Sequence, residues 1–251
     1  MKISIITVCF NSEKTLERTI GSVISQDYKN IEYILIDGGS NDNTLNIIDK
    51  YKQHISTIVS EKDKGIYDGI NKGIQKATGD IISLIHANDI FVNSNVISKI
   101  INFFQNNPNA DIVLSDLAFK KNLDDKKITR YYSAQNFKSW MLRIGYSPPH
   151  LSAFFRTGVF KKVGLYQTNF KIAGDFDYFV RCFLKHKLKF IYFKECLIFM
   201  STGGTSGKNF LSYLISTKEI NKSLKSNMFY SNIFLPLLRF PIKLIQFIFK
   251  K

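Results

Sequence analysis

Short apolar runs recur through the first half of the chain, and stretches with helical periodicity follow most of them. Strands are predicted at residues 3–9, 31–36, 56–60, 81–85 and 112–115. Helices are predicted at residues 44–51, 65–77 and 96–106, and an earlier one, capped by Ser12 or Thr15, runs to about Gln26. Strands that alternate with helices at this spacing form parallel βαβ units with helices on both faces. The pattern therefore predicts an α/β fold with a Rossmann-like, mostly parallel central sheet.

The pattern weakens after the fifth predicted strand. We expect one domain over residues 1–210, with halves at 1–118 and 119–210, and a helical tail over 211–251. Residues 229–251 are rich in Phe, Leu and Ile, are interrupted by Pro236 and Pro241, and carry several cations. Such a segment is typical of an in-plane membrane anchor. A C-terminal helix that packs on the core is the alternative.

Charge narrows the set of partners. The 251 residues carry a formal net charge of +15, which favours anionic partners such as phosphate-bearing substrates or an anionic membrane surface. Nucleic acid is not expected, because no recognition helix or basic-aromatic pattern accompanies the charge. Three scattered cysteines are too few for a disulfide framework. The chain shows neither a secretory leader nor an apolar stretch long enough to span a membrane, so a cytoplasmic protein is expected, peripheral on the inner face of the membrane if the tail binds there.

Polar residues follow several of the predicted strands, at the edge where ligands bind in such sheets. Asp37 with its Gly-Gly pair can accept hydrogen bonds from a base or ribose, or can form a tight turn. Lys64 and Lys72 belong to a charged segment around a predicted helix start and can neutralise a diphosphate, although an exposed, capped helix is the alternative.

Two further clusters carry candidate chemistry. Asn88 and Asp89 offer hard oxygen ligands for Mg²⁺ or Mn²⁺, or form an ordinary turn. Asp175 is a candidate general base that takes a proton from an acceptor hydroxyl, or is a helix N-cap.

Four segments in this order resemble family 2 inverting glycosyltransferases with the GT-A fold, in a branch related to colanic-acid and other exopolysaccharide transferases. They are SIITVCFNSEKTLERTIGSVISQDYKNIEYILIDGGSNDNT, EKDKGIYDGINKGIQKATGDII, PPHLSAFFRTGVFKKVGLYQTNFKIAGDFDYFVR and GGTS. The resemblance covers roughly residues 2–207 and is specific in combination.

The resemblance implies a role for each matching residue. Asp175 is the catalytic base, and Asp89 with Asn88 holds a divalent cation, Mg²⁺ or Mn²⁺. The donor-binding residues are Thr7, Asn11, Asp37, Asp63, Lys64, Asp68 and His150. The implied reaction moves a sugar, with inversion, from a nucleotide-sugar, usually a UDP-sugar, to a glycan or lipid-linked acceptor in cell-surface polysaccharide biosynthesis.

Two departures from the family pattern bear on this reading. Asn88 stands where the family often has an aspartate, so one metal-binding charge is missing. Gly174 stands where a glutamate often precedes the base. The alternative is therefore a catalytically inactive protein that binds sugar nucleotides or serves as a scaffold.

Overall fold

A computed structural model describes residues 1–201, 210–232 and 234–242. Its strands are β1 (Ile3–Cys9), β2 (Ile31–Asp37), β3 (Thr57–Ser60), β4 (Ile81–Leu84), β5 (Asp89–Phe91), β6 (Ile112–Lys120), β7 (Ile128–Tyr132), β8 (Ala153–Arg156) and β9 (Phe190–Ser201). Its α-helices are α1 (Leu16–Ile24), α2 (Thr44–Lys50), α3 (Ile66–Lys76), α4 (Val96–Asn106), α5 (Gly158–Val163), α6 (Gly174–Phe179) and α7 (Phe210–Ser226). A π-helical turn, Val180–Lys185, continues α6, and 3₁₀ turns occupy Lys52–His54, Ser139–Ile144 and Leu235–Leu238.

The described strands form one sheet with the order β3-β2-β1-β4-β8-β6-β9-β5, and β7 pairs with β6. The first four strands in this order are parallel, as the alternating pattern predicts. Right-handed crossovers place α1 and α2 on one face and α3 on the other. The chain therefore changes direction of winding at β1, which opens a crevice beyond the carboxyl ends of β1 and β4.

The second half of the sheet is mixed rather than mostly parallel. β8 runs antiparallel to both β4 and β6, β5 is antiparallel to β9, and β7 is antiparallel to β6. β6 crosses the expected division at residue 118, so one continuous sheet carries both halves. The α/β prediction is confirmed, and the antiparallel strands are the part that the pattern missed.

Two glycines let α3 approach the sheet closely. A Cβ at Gly69 would lie 2.7 Å from Cγ1 of Val8, and one at Gly73 would overlap Cγ2 of Ile6. Both aliphatic side chains belong to β1 and are buried in the core. The glycines therefore bring the N-terminal end of α3 over the crevice beyond β1.

The C-terminal region packs on the core through α7. Ile220 and Leu224 of this helix are buried. Ser223 Oγ and Asn227 Nδ2 donate hydrogen bonds of 2.8 and 3.1 Å to Asp177 Oδ1 on α6. The helical tail is thus a structural neighbour of α6.

Within residues 1–201, 210–232 and 234–242, no helix has the length and apolar character needed to cross a membrane. The sequence motif GGTS and the last part of the tail, residues 243–251, lie outside the described residues.

Candidate active site

Four loops meet at the carboxyl edge of the parallel strands. Asn11 follows β1, Asp37 ends β2, Asp63 follows β3 and His86 follows β4. The strand order places these positions side by side around the crevice. The predicted site residues of the first half therefore lie along one edge of the sheet.

The Asp37 carboxylate is enclosed by its own loop. It is fully buried and accepts hydrogen bonds from the Gly39 N–H (3.2 Å), Ser40 Oγ (2.5 Å) and Ser60 Oγ (2.7 Å). No surface of this carboxylate is left to meet a base or a ribose. In this arrangement Asp37 shapes the loop after β2, and its contact with the donor stays a prediction.

Thr7 and Asn11 also bond within the protein. Thr7 is fully buried, and its hydroxyl shares a 3.1 Å hydrogen bond with the hydroxyl of Tyr33. Its role in donor binding stays a prediction. Asn11 is exposed and has a left-handed backbone, with φ of 47°. Its N–H donates to Ser40 Oγ (2.8 Å), and its Oδ1 accepts from the Asn41 N–H (2.9 Å). Asn11 therefore ties the first two loops together at the opening.

Asp63 is the acidic side chain that lies over the end of β2. Its Oδ1 accepts the Gly65 N–H at 2.9 Å, and a Cβ at Gly38 would lie only 2.6 Å from its Oδ2. The absence of a side chain at Gly38 thus makes room for this carboxylate. Asp63 is half-buried, and within the described part of the chain its Oδ2 accepts no protein hydrogen bond. This oxygen is well placed to accept one from a ligand.

The first turn of α3 borders a small cavity. Asp68 Oδ2 accepts the Lys64 N–H at 3.0 Å, and the Lys64 side chain is exposed. Lys72 forms ion pairs with Glu61 (2.9 Å) and Asp68 (3.7 Å), so its ammonium group is held against α3 by these two carboxylates. The cavity has a volume of about 340 Å³ and is lined by residues 64–68 and 168–171.

Tyr67 connects the start of α3 to the start of α6. Its hydroxyl donates to the Ile172 carbonyl (2.8 Å) and accepts the Gly174 N–H (2.9 Å). A Cβ at Gly174 would lie 2.6 Å from the Tyr67 ring, so this contact requires glycine. Asp175 is the next residue. It is half-buried, with Oδ1 2.7 Å from the Phe176 N–H. The contact therefore brings Asp175 close to the first turn of α3.

His150 extends the same cluster toward β4. Its Nε2 lies 2.8 Å from the hydroxyl of Tyr166, and the Tyr166 ring stacks on Tyr67 at 6.0 Å. Burial lowers the pKa of His150 to about 4, so its imidazole is neutral at pH 7. Burial, and to a lesser extent His150, lower the pKa of His86 to about 3. The two histidines are thus close enough for their charges to interact.

Residues 4–164 match the sequence profile of Glycosyl transferase family 2. The chain belongs to this family. This glycosyltransferase is 30% identical over 184 residues to an uncharacterised glycosyltransferase of Mycobacterium tuberculosis, and the match covers 72% of this chain and 69% of that protein.

Solved structures show the same GT-A fold. A TarS fragment of S. aureus in complex with UDP-GlcNAc has a TM-score of 0.69 and 17% identity, with 89% of this chain and 66% of that chain covered. The mannosyltransferase PcManGT from Pyrobaculum calidifontis, in complex with GDP-Man and Mn²⁺, has a TM-score of 0.66 and 14% identity, with 95% and 68% covered. This glycosyltransferase spans only 40% of a longer TarS chain. The branch related to colanic-acid transferases stays a prediction.

The residues that the family pattern assigns to a metal are poorly suited to hold one. Asp89 has only 2% of its surface exposed, and burial raises its pKa to about 8, although a backbone hydrogen bond at His86 acts in the opposite direction. The Asn88 amide nitrogen donates to Ser201 Oγ, which leaves the amide oxygen as its one remaining ligand atom. His86 Nδ1 is buried and has no hydrogen-bond partner in the described part of the chain.

Mg²⁺ and Mn²⁺ prefer carboxylate and other oxygen ligands. Among residues 1–201, 210–232 and 234–242, no group of three or more His, Cys, Asp or Glu side chains could hold a metal ion. Because the carboxylate of Asp89 is buried, this glycosyltransferase presents no anionic ligand in the loop after β4. The expected metal site therefore does not fit the residues present.

Sequence reasoning missed the residues that hold this site together. Tyr67 and Tyr166 lie inside the quoted motifs, but an aromatic residue in such a segment reads as core. Asn71 bonds the backbone of Tyr166 in both directions, at 2.8 and 2.9 Å. Glu219, in the tail, accepts the N–H groups of the three residues before Gly174. Nothing in the sequence signals such a distant pairing.

Proposed function

We propose that this glycosyltransferase moves a sugar from a nucleotide-sugar donor to a hydroxyl acceptor with inversion, and that Asp175 is the catalytic base. The observation that carries this proposal is the Tyr67 contact, which joins the donor-side helix α3 to the residue before Asp175. The half-buried Asp175 follows Gly174 directly, and Tyr67 belongs to the first turn of α3, which also carries Asp68.

The reaction needs one displacement. The acceptor oxygen attacks the anomeric carbon from the face opposite the diphosphate, and the bond from that carbon to the diphosphate oxygen breaks. The bonding electrons leave with the nucleoside diphosphate, and the acceptor proton passes to Asp175. A single in-line displacement inverts the configuration at the anomeric carbon.

The donor residues divide the work by their chemistry. Asp63 Oδ2 accepts a hydrogen bond from the base or the ribose. Lys64 and the N–H groups at the start of α3 offset the charge of the diphosphate. His150 is neutral, so it contributes a hydrogen bond rather than a charge to the diphosphate or the acceptor. A UDP-sugar is the proposed donor, supported by the UDP-GlcNAc complex of TarS.

The proposed acceptor is a glycan or lipid-linked glycan used in cell-surface polysaccharide biosynthesis. The cationic, apolar tail over residues 229–251 supports a lipid-linked acceptor, because it would hold the enzyme at a membrane surface. The second candidate function is sugar-nucleotide binding without turnover, which is favoured by Asn88 and the buried Asp89.

A panel of donors separates these two functions. We expect at least one of UDP-GlcNAc, UDP-glucose and GDP-mannose to release its nucleoside diphosphate when incubated with the protein, measured by a coupled spectroscopic assay. Proton NMR of the product should show the opposite anomeric configuration to that of the donor. The non-catalytic candidate would be favoured if calorimetry shows that a nucleotide-sugar binds, but no donor releases its nucleoside diphosphate with any acceptor.

We also expect turnover to persist after divalent cations are removed with EDTA. The reason lies in the available metal ligands: the loop after β4 presents an amide oxygen but no accessible carboxylate. The expected change in kcat/KM is less than about threefold, whereas a metal that stabilises the leaving diphosphate contributes several kcal/mol. Steady-state kinetics with and without EDTA measure this.

An Asn88→Asp variant provides the matched control, because it returns one carboxylate to the loop. Electron paramagnetic resonance of free Mn²⁺, in the presence of UDP, should show tighter Mn²⁺ binding by the variant than by the parent protein. A large loss of turnover in EDTA that Mn²⁺ restores in the parent protein would contradict the prediction.

A further inference from the structure

Two segments far apart in the sequence place large apolar side chains in solvent. One is the 3₁₀ turn Ser139–Ile144, where Trp140 is 57% exposed. The other comprises residues 228–232 and 234–238, where Met228 is 93% exposed and Tyr230 and Phe234 are each 73% exposed. Leu237 and Leu238 of the second segment are exposed as well. Singly exposed apolar residues are normal, but a concentration of this size marks an interaction surface.

The two segments pack against each other. Arg143 Nη2 donates to the Tyr230 carbonyl at 3.3 Å, and its guanidinium lies 5.4 Å from the centre of the Phe229 ring. A Cβ at Gly145 would lie 2.9 Å from the Cα of Pro236, which shows how closely the backbones approach. We call the combined surface, formed by residues 139–144, 228–232 and 234–238, the apolar platform.

The sequence that surrounds the two segments carries formal charge of one sign. Residues 126–174 and 220–251 contain no Asp or Glu at all, although both stretches are rich in Lys and Arg. Lys138 and Lys225 are exposed and lie next to the two segments in the sequence, and Arg143 lies within the first. An apolar surface with Lys138, Arg143 and Lys225 in or next to its segments is complementary to a bilayer with anionic headgroups.

The residue types fit the same partner. Trp and Tyr are the side chains enriched where a membrane meets water, because each has an apolar ring and a polar group. Trp140 and Tyr230 occupy the two packed segments, with Phe234 and the leucines as purely apolar contacts. A protein partner would need no uniform positive charge around the surface, whereas an anionic membrane does.

We propose that the apolar platform docks on an anionic phospholipid surface, with Trp140 and Phe234 entering the headgroup region and the surrounding cations contacting lipid phosphates. This deepens the proposed function, which places the acceptor on a lipid, and it extends membrane contact from the tail to a turn in the body of the enzyme. The binding itself needs neither donor nor turnover.

Co-sedimentation of the full chain with vesicles tests the proposal. We expect the protein to bind vesicles of phosphatidylcholine with 30% phosphatidylglycerol, and to bind pure phosphatidylcholine vesicles roughly tenfold or more weakly. High salt should weaken binding to the anionic vesicles, because it screens the charges. Trp140→Ser and Phe234→Ser should each weaken binding to the anionic vesicles by about fivefold to tenfold. Lys138→Glu combined with Lys225→Glu should remove most of the preference for anionic lipid.

Leu45→Ser is the matched control, because Leu45 is an exposed apolar residue on α2, outside the platform, and its loss should leave vesicle binding unchanged. Circular dichroism checks that each variant is folded. The proposal is overturned if the parent protein ignores anionic vesicles, or if the Trp140 and Phe234 variants bind as the parent does. It is equally overturned if those variants instead abolish self-association, since the occupant would then be a second copy. Failure of sugar transfer alone would leave vesicle binding intact.

Discussion

Replacing Asp175 with asparagine is expected to lower kcat by about 10²–10⁴-fold, the usual contribution of a positioned general base. The amide cannot take the acceptor proton, but it keeps the size and the acceptor oxygen of the native side chain. Donor affinity should stay within about twofold of the parent value, because the donor residues on α3 and its preceding loop are unchanged. Transfer assays give kcat, and isothermal titration with the nucleoside diphosphate gives donor affinity.

Asp49→Asn is the matched control for that experiment. Asp49 is an exposed residue of α2 that pairs with Lys52 at 2.9 Å, so the same chemical change should leave kcat and stability almost unaffected. Retention of more than about a third of the parent kcat by Asp175→Asn would remove Asp175 from the role of base.

The second large effect is expected at Glu219, which positions the base without contacting substrate. Its carboxylate accepts the backbone N–H groups of Lys171, Ile172 and Ala173 at 2.8, 2.9 and 2.8 Å. The Tyr67 hydroxyl accepts the Gly174 N–H, so Glu219 and Tyr67 together bind four consecutive backbone N–H groups just before Asp175. Removing the Glu219 carboxylate leaves three of these N–H groups without their charged acceptor. The backbone that orients Asp175 then loses its restraint.

We therefore expect Glu219→Ala to lower the free energy of unfolding by about 2–4 kcal/mol, because hydrogen bonds to charged groups are among the stronger ones. We also expect kcat to fall by about tenfold or more with little change in KM, since a misplaced catalytic group costs turnover rather than binding. Urea denaturation and steady-state kinetics measure the two effects. Glu219→Gln keeps an acceptor oxygen and should recover part of both losses.

Glu195→Ala is the control for the loss of a glutamate. Glu195 forms a 2.6 Å ion pair with Lys99 at the surface, and exposed pairs contribute at most about 1 kcal/mol. If Glu219→Ala changes stability but leaves kcat intact, Glu219 supports the fold and has no part in positioning Asp175.

The first half of the fold is readable from the sequence because burial on both faces makes parallel strands continuous apolar runs. β1 is predicted with its observed bounds, and β2 differs only at its last residue. The second half gives no such signal. β9 is twelve residues long but mostly half-buried, so its sequence lacks both a continuous apolar run and a strict alternation. The antiparallel pairings of β5, β7 and β8 depend on distant partners.

The candidate site was predicted at the level of loops rather than side chains. The sequence places Asp37, Asp63 and Asp89 after or at the ends of strands, but it does not tell which carboxylates turn inward. The structure buries Asp37 and Asp89 and leaves Asp63 half-exposed, because small residues at Gly38 and Gly69 make space for the last of these. Burial of a polar side chain is decided by its hydrogen-bond partners, which become neighbours only in the folded chain.

The packing of Tyr67 on Gly174 links the natural variation of two positions about one hundred residues apart. The family that this chain resembles often has a glutamate directly before the base. At position 174 a glutamate has no room, because the Tyr67 ring occupies the space of its Cβ. An acidic residue at position 174 therefore requires a smaller residue at position 67. That smaller residue would lack the Tyr67 hydroxyl and its hydrogen bond to the Ile172 carbonyl. Relatives should accordingly divide into two sets, one carrying the ring and the glycine and the other carrying neither.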